Sequence, residues 1–97
     1  MAETFRRFDA ANYLTTDEDI SAYLEESARD GDAAAMAVAL GTVVRARNVS
    51  QLARDTGMTR EGISKALSPG GNPAFATVVK VARAMGFEVA FRARRAS

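Results

Sequence analysis

Residues 59–67 read T-R-E-G-I-S-K-A-L, which gathers Thr59, Arg60, Glu61, Ser64 and Lys65 into less than two helical turns. If the stretch is helical, Ile63 and Leu67 (or Ala66) point one way, and Arg60, Glu61, Ser64 and Lys65 point the other. An outward arginine can make a two-pronged bond to guanine. Serine, threonine and lysine can reach bases or phosphates. Just upstream, Ser50 and Gln51 open a second short helix, where side chains and free backbone amides can hold a phosphate. Ser50, Gln51, Thr59, Arg60, Glu61, Ser64 and Lys65 are therefore the candidate contacts to duplex DNA. The competing reading is a helical hairpin whose Arg and Lys merely solvate its surface.

These groups work as a unit only if two brief helices meet at a fixed angle. Ser50 is a cap for a helix over 51–56, and Thr59 is a cap for one over 60–67. Between them Gly57 supplies the backbone freedom of a sharp turn. Ala53 is small where the helices cross, and Leu52, Met58, Ile63 and Leu67 fix the angle. This is the pattern of a helix-turn-helix, whose second helix enters the major groove by its N-terminal residues.

Three more helices frame the pair. Thr16 caps one over about 17–29, with Asp17, Glu18 and Asp19 in the first turn, where the helix dipole favours negative charge. Ile20, Tyr23 and Leu24 form its apolar stripe, and Gly31 stops it. Asp32 caps the next, about 33–47, with Met36, Ala37, Leu40, Val43 and Val44 facing inward. Gly41 costs this helix about 1 kcal/mol of propensity against Ala; a tight helix crossing would account for it. The loop Ser68-Pro69-Gly70-Gly71-Asn72-Pro73 cannot continue a helix. A fifth helix follows over about 74–85, with Phe75 and Val78 turned toward the second short helix. Residues 87–92 alternate as a strand does.

Composition removes whole classes of function. The 97-residue chain has no Cys and no His, so thiol chemistry, thiolate zinc sites and Ser-His-Asp arrangements are excluded. Neighbouring acids such as Glu25 and Glu26 do not converge on one point. Gly70-Gly71 lacks the spacing of a nucleotide-binding loop. A non-enzyme without metal or cofactor is expected. Apolar runs are too short to span a membrane, and nothing near Met1 resembles a signal core. A cytoplasmic protein is the expectation.

Net charge is +1, but it is divided unevenly. Residues 1–32 carry three Arg against nine Asp and Glu, net −6; residues 33–97 carry ten basic residues against three acids, net +7. The split suggests two partners of opposite charge, or two solvated faces. The organisation expected is an acidic arm and helix over 1–31, then a helix-turn-helix domain over 32–97 ending in the strand.

The segment 59–81 closely resembles the pattern R-E-x-[L/I]-x-[K/R]-A-L-S-x-x-G-N-P-x-F-x-T-[V/I/L]-x-K-V. That pattern marks the probable addiction-module antidote proteins, a branch of the phage-repressor-like helix-turn-helix superfamily. F-D-A-A-N-Y-L, A-Y-L-E-E-S-A-R-D-G-D and the Ala39-Leu40 pair are similar to the same family, so the likeness covers about residues 5–91. Gly62 inside the second short helix is a departure, as is Ser64 where many relatives carry Tyr. The resemblance implies a mainly α, lambda-repressor-like domain of five helices. It also implies an antitoxin of a type II toxin–antitoxin pair, which binds its own operator as a dimer and represses transcription. The implied partner is a small basic RelE/ParE-like or HigB-like toxin encoded next door. A phage-type regulator with no toxin shares the same helix-turn-helix; an adjacent small reading frame separates the two.

Two partner surfaces follow as expectations. Phe5, Phe8 and Tyr13 in the arm, with Asp17, Glu18, Glu25 and Glu26, suit a basic toxin. A lone strand leaves both edges unpaired, so it must pair either with the arm near Phe5–Phe8 or with its own copy across a two-fold axis; a homodimer with Phe87, Val89 and Phe91 at its interface is expected.

Overall fold

The computed structural model describes residues 14–94. Five helices follow in order: α1 Asp17–Ala28, α2 Ala33–Ala46, α3 Val49–Thr56, α4 Arg60–Ala66 and α5 Phe75–Ala84. The described residues are thus mainly helical, and each helix begins within two residues of where sequence punctuation puts it.

The caps show why. Thr16 Oγ1 accepts from the Asp19 amide at 3.0 Å, and Asp32 Oδ1 accepts from the Ala34 amide at 3.0 Å. Each satisfies a backbone donor that the first helical turn leaves free. The start of α3 is a correction. Asn48, not Ser50, is its cap, with Oδ1 accepting from the Gln51 amide at 3.1 Å. Ser50 is consequently the second residue inside the helix. Earlier capping brings Val49 into the first turn, where its side chain packs against the core.

One core unites the helices. Leu14, Ile20, Leu40, Val43, Val44, Leu52, Ile63, Leu67, Val81 and Met85 are buried together. Helix α1 lies mainly on α2, and α3 contacts both α4 and α5. One close approach between helices is at Gly41. A Cβ there would sit 2.6 Å from the Leu67 carbonyl oxygen and 3.1 Å from Leu67 Cβ. Gly41 thus lets α2 pass directly against the end of α4, and the close crossing offsets its poor helix propensity. Gly71 is more confined still, since a Cβ there would run into the carbonyl oxygens of Lys65 and Ala66.

Three expectations change. The described residues contain no strand, and 87–94 lack regular structure. An alternating pattern makes a strand only when a ladder partner is at hand, and among the described residues none pairs with it. Phe87 instead helps close α5: its amide donates to the Ala82 carbonyl at 2.9 Å, and the Gly86 amide to Arg83 at 3.0 Å. With Gly86 at φ +90°, this is the Schellman closure. Phe75, read as facing inward, is 64% exposed, because the first turn of α5 overshoots the core. Met36 is likewise exposed at the start of α2. Val78 does pack against the core.

Candidate nucleic-acid interface

The geometry of α3 and α4 is set by their apolar sides. Leu52, Ile63 and Leu67 are buried, Ile63 completely, while Ala53, Met58 and Ala66 pack partly against them. Burying Ile63 contributes about 1.5–3 kcal/mol and leaves α4 little freedom to roll. The turn is made by Gly57, whose φ of +75° lies in the left-handed region, and its amide donates to the Ala53 carbonyl at 2.9 Å. Thr59 then starts α4, its Oγ1 accepting from the Gly62 amide at 2.9 Å.

With that side fixed, Arg60, Glu61, Ser64 and Lys65 are all exposed together on α4. None of them takes part in an ion pair among the described residues. Arg60 is the first residue of α4, where the helix dipole disfavours a cation. Local electrostatics therefore give no reason for an arginine there. Its guanidinium reaches back to α3, and Nη1 donates to Ser50 Oγ at 3.2 Å. The Ser50 side of α3 and the Arg60 end of α4 thus meet at one edge.

Gln51 is also exposed, and both ends of its amide are held. Nε2 donates to Asp55 Oδ1 at 2.9 Å, and Oε1 accepts from Arg54 Nη2 at 2.7 Å. Sequence reasoning passed over Arg54, though its place three residues after Gln51 on one helix face was a usable signal. Leu52, Gln51 and Asp55 also line a shallow groove with Arg47, Asn48, Ala84 and Met85, where α3 adjoins the end of α5.

The acidic side is built on α1. Ile20 is buried, with Tyr23 and Leu24 packed partly beside it. Asp17, Glu18, Glu25 and Glu26 remain exposed. Among the described residues two of them have partners: Glu26 pairs with Arg29 at 3.0 Å, and Asp17 Oδ1 accepts from Arg47 Nη2 at 3.2 Å. The second pair ties the start of α1 to the end of α2 across thirty residues, a contact that no local pattern announces. Asp17, Glu18 and Glu25 line an open, shallow concavity together with Ser21 and Ala22. Phe5, Phe8 and Tyr13 lie outside the described residues. Of the residues expected between copies, Phe87 packs on its own core, whereas Val89 is 39% and Phe91 89% exposed.

Among the described residues, no group of His, Cys, Asp and Glu has the arrangement to hold a metal ion. No described helix is long and apolar enough to cross a membrane. Comparison with known proteins bears on this arrangement. A protein from Haemophilus influenzae strain Rd, described as uncharacterized, is 48% identical over 88 residues, covering 91% of each chain. No solved structure matches. The sequence profile described as "probable addiction module antidote protein" matches residues 4–93, which takes in all five helices. Antidotes of this kind act on a toxin partner, which supports an antitoxin role. The chain belongs to the probable addiction module antidote protein family.

Proposed function

We propose that the protein is an antitoxin that also binds its own operator DNA, with α3 and α4 working as a helix-turn-helix and α4 as the helix in the major groove. The observation that carries the DNA reading is the division of α4. Ile63 and Leu67 are buried, while Arg60, Glu61, Ser64 and Lys65 share an exposed side where, among the described residues, neither cation has an acidic partner. In this reading Arg60, Glu61, Ser64 and Lys65 face base edges, and Thr59 and Gln51 lie near phosphates. The cation at the positive end of α4 costs some stability in the free protein and gains from the negative potential of DNA.

Repression of its own transcription follows if the site lies upstream of its own coding sequence. A homodimer would present two α4 helices about 34 Å apart, one turn of duplex; exposed Val89 and Phe91 are available to join the copies. The toxin in this reading is small and basic, encoded by the adjacent gene, and drawn to the acidic side of α1 at Glu18 and Glu25. The protein acts in the cytoplasm as a binding protein, without catalysis or cofactor.

The test is a mobility shift with the duplex upstream of its own gene, run from low to moderate salt. A shift that weakens steeply with salt is expected. No shift at any salt overturns operator binding. Co-purification of the adjacent gene product with the tagged protein tests the antitoxin half, and light scattering at micromolar concentration tests the dimer.

A further inference from the structure

Ser50 stands in the sequence as a candidate phosphate contact. The geometry points to another role: Ser50 is a positioning residue that holds the Arg60 guanidinium and thereby sets the base preference of α4. This rests on the DNA-binding reading above.

Two side-chain hydrogen bonds join different helices among the described residues, and one is Arg60 Nη1 to Ser50 Oγ at 3.2 Å. Every other such bond spans four residues or fewer. A long arginine at an exposed helix start has several rotatable bonds and no packing to restrict them. Ser50 is half-buried on the first turn of α3, so its hydroxyl is carried on a short side chain close to that helix. Anchoring one donor leaves four of the five guanidinium N–H groups for a two-pronged bond to guanine. The partner is a neutral hydroxyl rather than a carboxylate, so the full positive charge remains available. Glu61, the adjacent acid, does not pair with Arg60. The bond also fixes Arg60 relative to α3 as well as α4, so the side chain is aimed by the two-helix unit and not by its own helix alone.

A mere phosphate contact and an aiming contact have different signatures. Losing a neutral hydroxyl's phosphate contact weakens binding to every sequence alike and, because no charge is removed, leaves the salt slope nearly unchanged. Losing the aim weakens discrimination and leaves the salt slope intact.

The experiment compares wild type with Ser50→Ala, Ser50→Thr and Arg60→Ala. In the free protein, 15N relaxation of the Arg60 Nε reports side-chain order. Binding is read by fluorescence anisotropy on the duplex upstream of the gene and on a scrambled duplex of equal composition. Ser50→Ala is expected to mobilise Arg60 and to lower the preference for the upstream duplex by about three- to tenfold at an unchanged salt slope. Ser50→Thr keeps the hydroxyl and restores both. Arg60→Ala lowers the same preference at least as far as Ser50→Ala does, and adding Ser50→Ala to it changes nothing further. Equal loss on both duplexes overturns the positioning role and leaves DNA binding standing. An Arg60 as mobile in wild type as in Ser50→Ala also overturns it. Wild type that binds neither duplex overturns the DNA reading, and this inference with it.

Discussion

Replacing Gly41 by Ala tests the contact that seats α4. The added methyl would meet the Leu67 carbonyl oxygen at 2.6 Å and Leu67 Cβ at 3.1 Å. Two effects oppose. Helix propensity favours Ala by about 1 kcal/mol. Overpacking a close-packed contact costs about 1–3 kcal/mol. The nearest atom is backbone, and Leu67 is itself buried at 3% exposure, so neither neighbour can swing aside. The upper half of the overpacking range applies, for a net loss of about 1–2 kcal/mol. In a domain of this size, each kcal/mol lowers Tm by about 4–8 °C. Urea unfolding followed by circular dichroism reads the loss directly. The contact also tilts α4, so affinity for the upstream duplex should fall even where the variant is fully folded. A Gly41→Ala protein about 1 kcal/mol more stable than wild type would refute the reasoning, because propensity alone would then be deciding.

Other substitutions probe separate links. Ile63→Ala empties a completely buried site and should cost about 2–5 kcal/mol in chemical denaturation, against a total of about 5–15 kcal/mol. A loss below about 1 kcal/mol would mean α4 is not locked from beneath. Thr59→Ala removes the bond to the Gly62 amide and should cost about 1 kcal/mol; an unchanged denaturation midpoint would contradict the cap. Arg47→Met breaks the bridge to Asp17, whose side chain is 78% exposed. Its effect on thermal stability should stay under about 1 kcal/mol and shrink with added salt. A larger loss would show that the pair holds α1 in place.

Much of this arrangement is legible in the sequence because it is local. Thr16, Asp32 and Thr59 are cap residues that face one dominant choice each, and the helices start where they stand. The alternation of Ile63 and Leu67 with Arg60, Ser64 and Lys65 predicts which side of α4 is buried. Gly41 signals a close crossing, although only the structure shows that Leu67 is what it meets. Where two cap-competent residues stand close together, as Asn48 and Ser50 do, residue type cannot choose. Tertiary burial of Val49 favours the earlier one.

The remaining differences have the same origin in long-range structure. The alternation over 87–92 describes an extended chain, but a strand also needs a partner ladder. Phe75 has the right helical spacing with Val78 and Val81, yet the core ends before the first turn of α5 does. The bonds from Arg47 to Asp17 and from Arg60 to Ser50 join helices whose relative placement no short window encodes.

The most direct test of the central claim is an NMR titration of the 15N-labelled protein with the duplex upstream of its gene. The account predicts that amide signals of 49–51 and 59–65 move together and saturably. Those of the acidic side of α1, around Glu18 and Glu25, should stay in place. Perturbation confined to α1 or to 87–94, with residues 59–65 unmoved, would contradict it.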